Sequence, residues 1–196
     1  MSAIDPRLEA YLTPAQAVKF CEEMVETIRL SLSAVNIRFL DFRRWGLPEK
    51  NRFEKWFGID GPTARTRIEH GLGSMKMILE SLGCENFLPL TDKIADELGC
   101  KGTKVEPLAV AAVCPIVGPV RIMLGKGYFS LDNTRPSGPT RPLVLLHELA
   151  HLPQVLSTRG VGETYTLFLA KMLAKTNPEE ALRNSDNVAG YILDWE

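Results

Sequence analysis

Residues 147–151 read His-Glu-Leu-Ala-His, and no other stretch of this chain spells out a chemistry so directly. On a helix, side chains four residues apart lie on one face about one turn apart, so His147 and His151 can reach a single metal ion. Glu148 sits roughly a third of a turn round from His147, where it can touch a water on that ion without being a ligand. Zinc lowers the pKa of such a water towards neutrality, and a carboxylate can take the proton as the water attacks a polarised carbonyl. The pattern is that of metal-assisted hydrolysis. The chain holds three histidines, and two of them fall in this one spacing. Around them Leu143, Val144, Leu146, Leu149 and Ala150 make the helix apolar, where unpaired His and Glu would be costly to bury. The third, His70, has no ligand-type partner three or four residues away and reads as a partly exposed helix residue.

A catalytic zinc needs a third protein ligand and one open position. No histidine follows His151, so a carboxylate must serve, and Glu163, Asp186 and Asp194 are the downstream candidates. Glu163 comes first, just past Gly160-Val161-Gly162 and at the expected start of a helix, where a chain reversing after the zinc helix returns towards the metal. Cys21, Cys84, Cys100 and Cys114 lack the close spacing of a zinc knuckle. They read as buried small apolar residues or as one or two disulfides, and an even count leaves both open.

The elements that must position these residues show in the patterning. Thr13-Pro14-Ala15-Gln16 offers a cap, a first-turn proline and a reciprocal Gln, predicting a helix whose apolar face is Val18, Cys21, Val25, Ile28 and Leu32. It should stop by Gly46-Leu47-Pro48. The segment Phe53 to Gly58 is aromatic, and a second helix is expected from Thr63 to Leu82 with Gly83 as its cap. A short helix follows over Asp92 to Leu98. Leu108 to Cys114 and Val120 to Leu124 are short, partly β-branched runs bounded by Pro and Gly, which predicts a small antiparallel sheet. Thr140 can cap and Pro142 open the helix bearing the histidines, with Pro153 ending it. Further helices are expected over Glu163 to Lys175 and from Asn177, and Asn184-Ser185-Asp186-Asn187 reads as a turn. The fold class is α+β, predominantly helical with a small mid-chain antiparallel sheet.

The bulk numbers bound the rest. A length of 196 residues suits one domain, and 45% hydrophobic with 24% charged residues is an ordinary globular mix. A formal net charge of −1 leaves no excess of Lys and Arg to neutralise phosphates, so no nucleic-acid partner is expected. No run of about 18 apolar residues predicts a membrane span, and the first residues lack the pattern of a secretory signal.

In its motifs the chain resembles the aspzincin metallopeptidases, the family of deuterolysin and the peptidyl-lysine metalloendopeptidases. The resemblance runs from about residue 50 to 192 on four segments. Phe53-Glu-Lys-Trp56-Phe57-Gly58 is similar to a Tyr-x-x-Trp-Phe-Gly segment of the lysine-specific members. Ile122-Met-Leu-Gly-Lys-Gly-Tyr128-Phe129 is similar to the strand and aromatic turn before their zinc helix. His147 to His151 follows, and Asn184-Ser185-Asp186-Asn187 resembles their Asn-Ala-Asp-Asn. The resemblance implies one zincin-like domain over 1–196, with a helical part over 1–48 and the catalytic region over 50–192. It implies a zinc-dependent metalloendopeptidase with one catalytic Zn2+ and a peptide or protein substrate.

The family's third ligand is the Asp of Gly-Thr-x-Asp-x-x-Tyr-Gly. This chain has Gly160-Val-Gly-Glu163-Thr-Tyr165, with Glu for Asp and the tyrosine two residues later instead of three. By resemblance, His147, His151 and Glu163 hold the metal, Glu148 is the base and Tyr165 supports the oxyanion. Asp186 matches an acid that attracts the substrate lysine, while the second acid of that pair is Ala189 here. Substrate would pair with an edge strand, for which Val120 to Leu124 is the candidate. The family also suggests secretion, or export by a route that needs no classical signal. Two other functions use the same residues: a toxin or effector peptidase held in check by an inhibitor or immunity protein, and a non-catalytic zincin-like binding module.

Overall fold

The computed structural model describes residues 4–100, 109–114, 118–134, 138–159 and 166–194. After a short α1 (Pro6–Glu9), the long α2 (Pro14–Arg44) opens on the expected capping box, Thr13 accepting from the Gln16 amide and Gln16 accepting from the Thr13 amide. Its buried face is Phe20, Met24, Ile28, Val35 and Phe42, whereas Val18 and Val25 are 80% and 58% exposed. Both sets obey helical spacing, so period alone does not choose between them. The Phe and Met side chains withdraw more apolar area from water, and they face the core.

The aromatic segment is itself a helix, α3 (Leu47–Phe57), burying Phe53, Trp56 and Phe57 and closed by Gly58 in the left-handed conformation. Next come α4 (Pro62–Ser81), a 3-10 turn at Cys84–Asn86, β1 (Phe87–Pro89) and α5 (Asp92–Glu97). The mid-chain strands are β2 (Ala111–Val113) and β3 (Ile122–Leu124). The sheet is mixed, in the order β1-β3-β2: β1 runs parallel to β3 with Phe87 opposite Ile122, and β2 runs antiparallel with Val113 opposite Ile122. This corrects the expected edge strand. β3 is paired on both sides, and among the described residues the unpaired edges belong to β1 and β2.

The zinc-motif helix is α6 (Arg141–His151), capped by Thr140 as expected. It is followed by α7 (Leu167–Thr176), α8 (Pro178–Ala181) and α9 (Ser185–Leu193). The turn expected at residues 184–187 is instead the cap and first turn of α9. That helix is almost wholly buried, packing on α2, α3, α6 and α7. Asn187 spans the junction, donating to the carbonyls of Trp56 and Ala170. A buried charge cluster fastens the other end of α9. Arg38 of α2, 1% exposed, binds Glu49 of α3 and the backbone carbonyls of Tyr191 and Asp194, while Glu49 also accepts from Tyr191 and Arg52.

One apolar cluster runs through α2, α3, α4, α6 and α9, and a smaller one lies against the sheet around Leu88, Ile94 and Met123. The cysteines form two disulfides. Cys21–Cys84 ties α2 to the turn after α4, and Cys100–Cys114 ties the end of α5 to the end of β2, with Cα separations of 5.4 and 5.6 Å. Among the described residues no helix is long and apolar enough to cross a membrane.

Candidate metal centre

α6 exists because Thr140 satisfies an orphan amide at its start, and because Leu145, Leu146, Leu149 and Ala150 bury one side of it. That burial turns His147, Glu148 and His151 together towards β2 and the start of α9. Their candidate ligand atoms lie within 4.8 Å of one another. The Nε2 atoms of His147 and His151 face each other at 3.2 Å. Zn–N bonds of about 2.0–2.1 Å in a tetrahedron would place two ligand nitrogens about 3.3–3.4 Å apart. The imidazole pair therefore fits a zinc ion as it stands.

The far nitrogens are held separately. Asp186 Oδ1 lies 2.7 Å from His147 Nδ1, and the Thr158 carbonyl lies 2.9 Å from His151 Nδ1. A proton on each Nδ1 satisfies these acceptors and leaves both Nε2 lone pairs free for a metal, the arrangement that orients ligating histidines. The chain brings both acceptors to the site by folding back. Residues 152–158 return along α6, with the Thr158 amide bonded to the Ala150 carbonyl, and a parallel bridge joins Arg159 to Asn184 at the head of α9. Ser185, fully buried, sets its Oγ 3.1 Å from His147 Nε2.

Burial alone would lower the pKa of His147, but the Asp186 hydrogen bond and the Glu148 and Asp186 charges outweigh it and hold the imidazole above its usual 6.5. Glu148 is 7% exposed, and burial pushes its carboxyl above 4.5 against the pull of both histidines and the Val113 amide. A carboxyl so raised is better matched to proton transfer near neutral pH than an exposed glutamate is. The Val113 contact also places the free-edged strand β2 beside that carboxyl.

Of the residues expected at the site, His147, Glu148, His151 and Asp186 come together. Asp186 was expected to meet substrate, and its Oδ1 is engaged by His147. Asp194, a candidate ligand, is instead bound to Trp56 Nε1 and Lys55 Nζ. Glu163 and Tyr165 lie outside the described residues. His70 is exposed, as expected. Sequence reasoning missed Thr158 and Ser185. The first acts through a backbone carbonyl, which no side chain announces. The second stood in a segment read as a turn.

Residues 47–192 match the family described as lysine-specific metallo-endopeptidase, aspzincin M35. The "Extracellular protease" of Aeromonas hydrophila is 29% identical over 140 residues, covering 71% of this chain and 35% of that protein. The chain thus spans about a third of that curated relative. The zinc peptidase from Grifola frondosa superposes with a TM-score of 0.66, covering 92% of this chain and 96% of that one, at 16% identity. At that identity the likeness is one of fold.

Proposed function

The chain belongs to the aspzincin family of lysine-specific metallo-endopeptidases, and from that premise we propose that it is a zinc-dependent endopeptidase with Glu148 as its general base. The observation that carries the proposal is the imidazole pair, two Nε2 atoms 3.2 Å apart with both Nδ1 atoms already engaged. His147 and His151 would hold the zinc, and Glu163 would complete the set. Zinc supplies Lewis acidity towards a water and the scissile carbonyl. Glu148, buried and raised, takes a proton from the attacking water and delivers it to the departing amine. Tyr165 donates to the developing oxyanion.

Substrate binds in extended form along the free edge of β2, which runs beside Glu148. Backbone groups alternate in direction along a strand, so Ala111 and Val113, and not Ala112, offer the pairing. A lysine preference follows from the family description, with Asp186 as the acid that would attract the lysine. Because Asp186 also engages His147, its roles towards metal and towards substrate are coupled.

Replacing Glu148 by Gln tests the assignment. The variant should bind zinc as the parent does and lose hydrolysis of a denatured protein substrate by about three orders of magnitude or more, the scale of a general base together with the activation it controls. Full activity in that variant, with zinc content measured in the same sample, sinks the proposal.

A further inference from the structure

Behind the segment that follows α6, cavities of about 440 and 710 Å³ share a wall made of Pro62, Thr63 and Arg67. Arg67 donates through Nη2 to the Leu156 carbonyl, while its Nε is buried without a partner. Arg52 and Arg141 also have a buried, unpartnered Nε, but their guanidinium groups pair with Glu49 and Glu23. Arg67 has no carboxylate partner among the described residues. Burial and the like charge of Arg183 together pull it below its usual 12.5. Arg183 lines the smaller cavity, is exposed, and makes no ion pair among the described residues. Glu179 shares that wall without coming within ion-pair distance of either arginine.

Two guanidinium groups converging without a counter-charge are an unbalanced arrangement, which an oxyanion would correct. The start of α4 adds to it. Gly61 caps that helix without a side chain, and Gly61 to Ala64 line the same cavity, at the positive end of the helix dipole. Ile59, Ala64 and Leu182 supply apolar surface beside the charges. We propose that this groove binds a carboxylate carried on an apolar stem, the form of a peptide's C-terminal residue, held between Arg67 and Arg183. The apolar wall and the volume favour an organic anion over a bare inorganic one. The site lies apart from the metal, yet Leu156 is two residues from Thr158, whose carbonyl positions His151.

The test is a titration of the zinc-loaded protein at constant ionic strength with N-acetyl-leucine, its amide and inorganic phosphate, read by calorimetry. N-acetyl-leucine should bind saturably and the amide should not. Arg183→Gln, on an exposed residue, should weaken binding by about tenfold, the scale of one charged hydrogen bond. Arg67→Gln should weaken it at least as much, with folding checked by circular dichroism. Equal affinity in the parent and Arg183→Gln would overturn the proposal, because it would place the carboxylate on the metal instead. Phosphate binding more tightly than N-acetyl-leucine would overturn it too, as would no binding at millimolar concentrations. None of these readouts depends on hydrolysis, so they stand apart from the peptidase assignment.

Discussion

The two histidines of the metal centre differ in what holds their far nitrogens: a carboxylate for His147 and a neutral backbone carbonyl for His151. A carboxylate fixes the ring and raises its basicity as a ligand, and such partners typically carry a 10–100-fold share of metal affinity. Asp186→Asn should therefore lower zinc affinity by about 10–100-fold, measured by competition with a chelating indicator. Were Asp186 engaged only with a substrate lysine, zinc affinity would stay and KM for lysine-containing peptides would rise. How much of the site was legible follows from the same contacts. His147, Glu148 and His151 could be read because five consecutive residues contain the whole geometry. Asp186 was visible as an acid of the right family segment. Its partner, however, lies 39 residues earlier in the chain, and only the fold puts the two together.

Elements announced by capping residues were read well, and those defined by what packs on them were not. α2, α5 and α6 begin where Thr13, Thr91 and Thr140 say they should. α3 carried a readable signal, aromatics at Phe53, Trp56 and Phe57 with helical spacing, but its length between two glycines concealed it. α9 was missed because Asn, Ser and Asp suit a turn as well as a first helical turn, and the choice is made by the helices around it. The contact that most constrains α9 is Gly190 against Trp56, where an added Cβ would lie 2.3 Å from the indole. Gly190→Ala should destabilise the protein by about 1–3 kcal/mol despite alanine's better helix propensity, as overpacking does. Urea unfolding measures it, and a stabilised variant would mean that Trp56 can move aside. The edge strand was misassigned for a similar reason. Ile122 to Leu124 of β3 are fully buried and Ala111 to Val113 of β2 only partly, a difference set by what packs on the strands and not by how apolar the two runs read.

Across the whole molecule the metal centre rests on a core that does not need the metal. α6 is packed through its leucines, and each imidazole has a protein partner at its far nitrogen. Removing zinc with a chelator should leave the helical circular dichroism unchanged. Tm should fall by about 5–10 °C if zinc stood roughly 100-fold above its dissociation constant. Loss of helix on chelation would contradict this. The position of α9 has one more effect, and it concerns time. That helix is synthesised after every element it packs on, and chains fold from the N-terminal side as they emerge. Until residues 184–193 are made, α2, α3 and α6 share a centre with nothing in it, and His147 lacks Asp186. The contact between Asp186 and His147 therefore forms only after α2, α3, α6 and α7 have been synthesised.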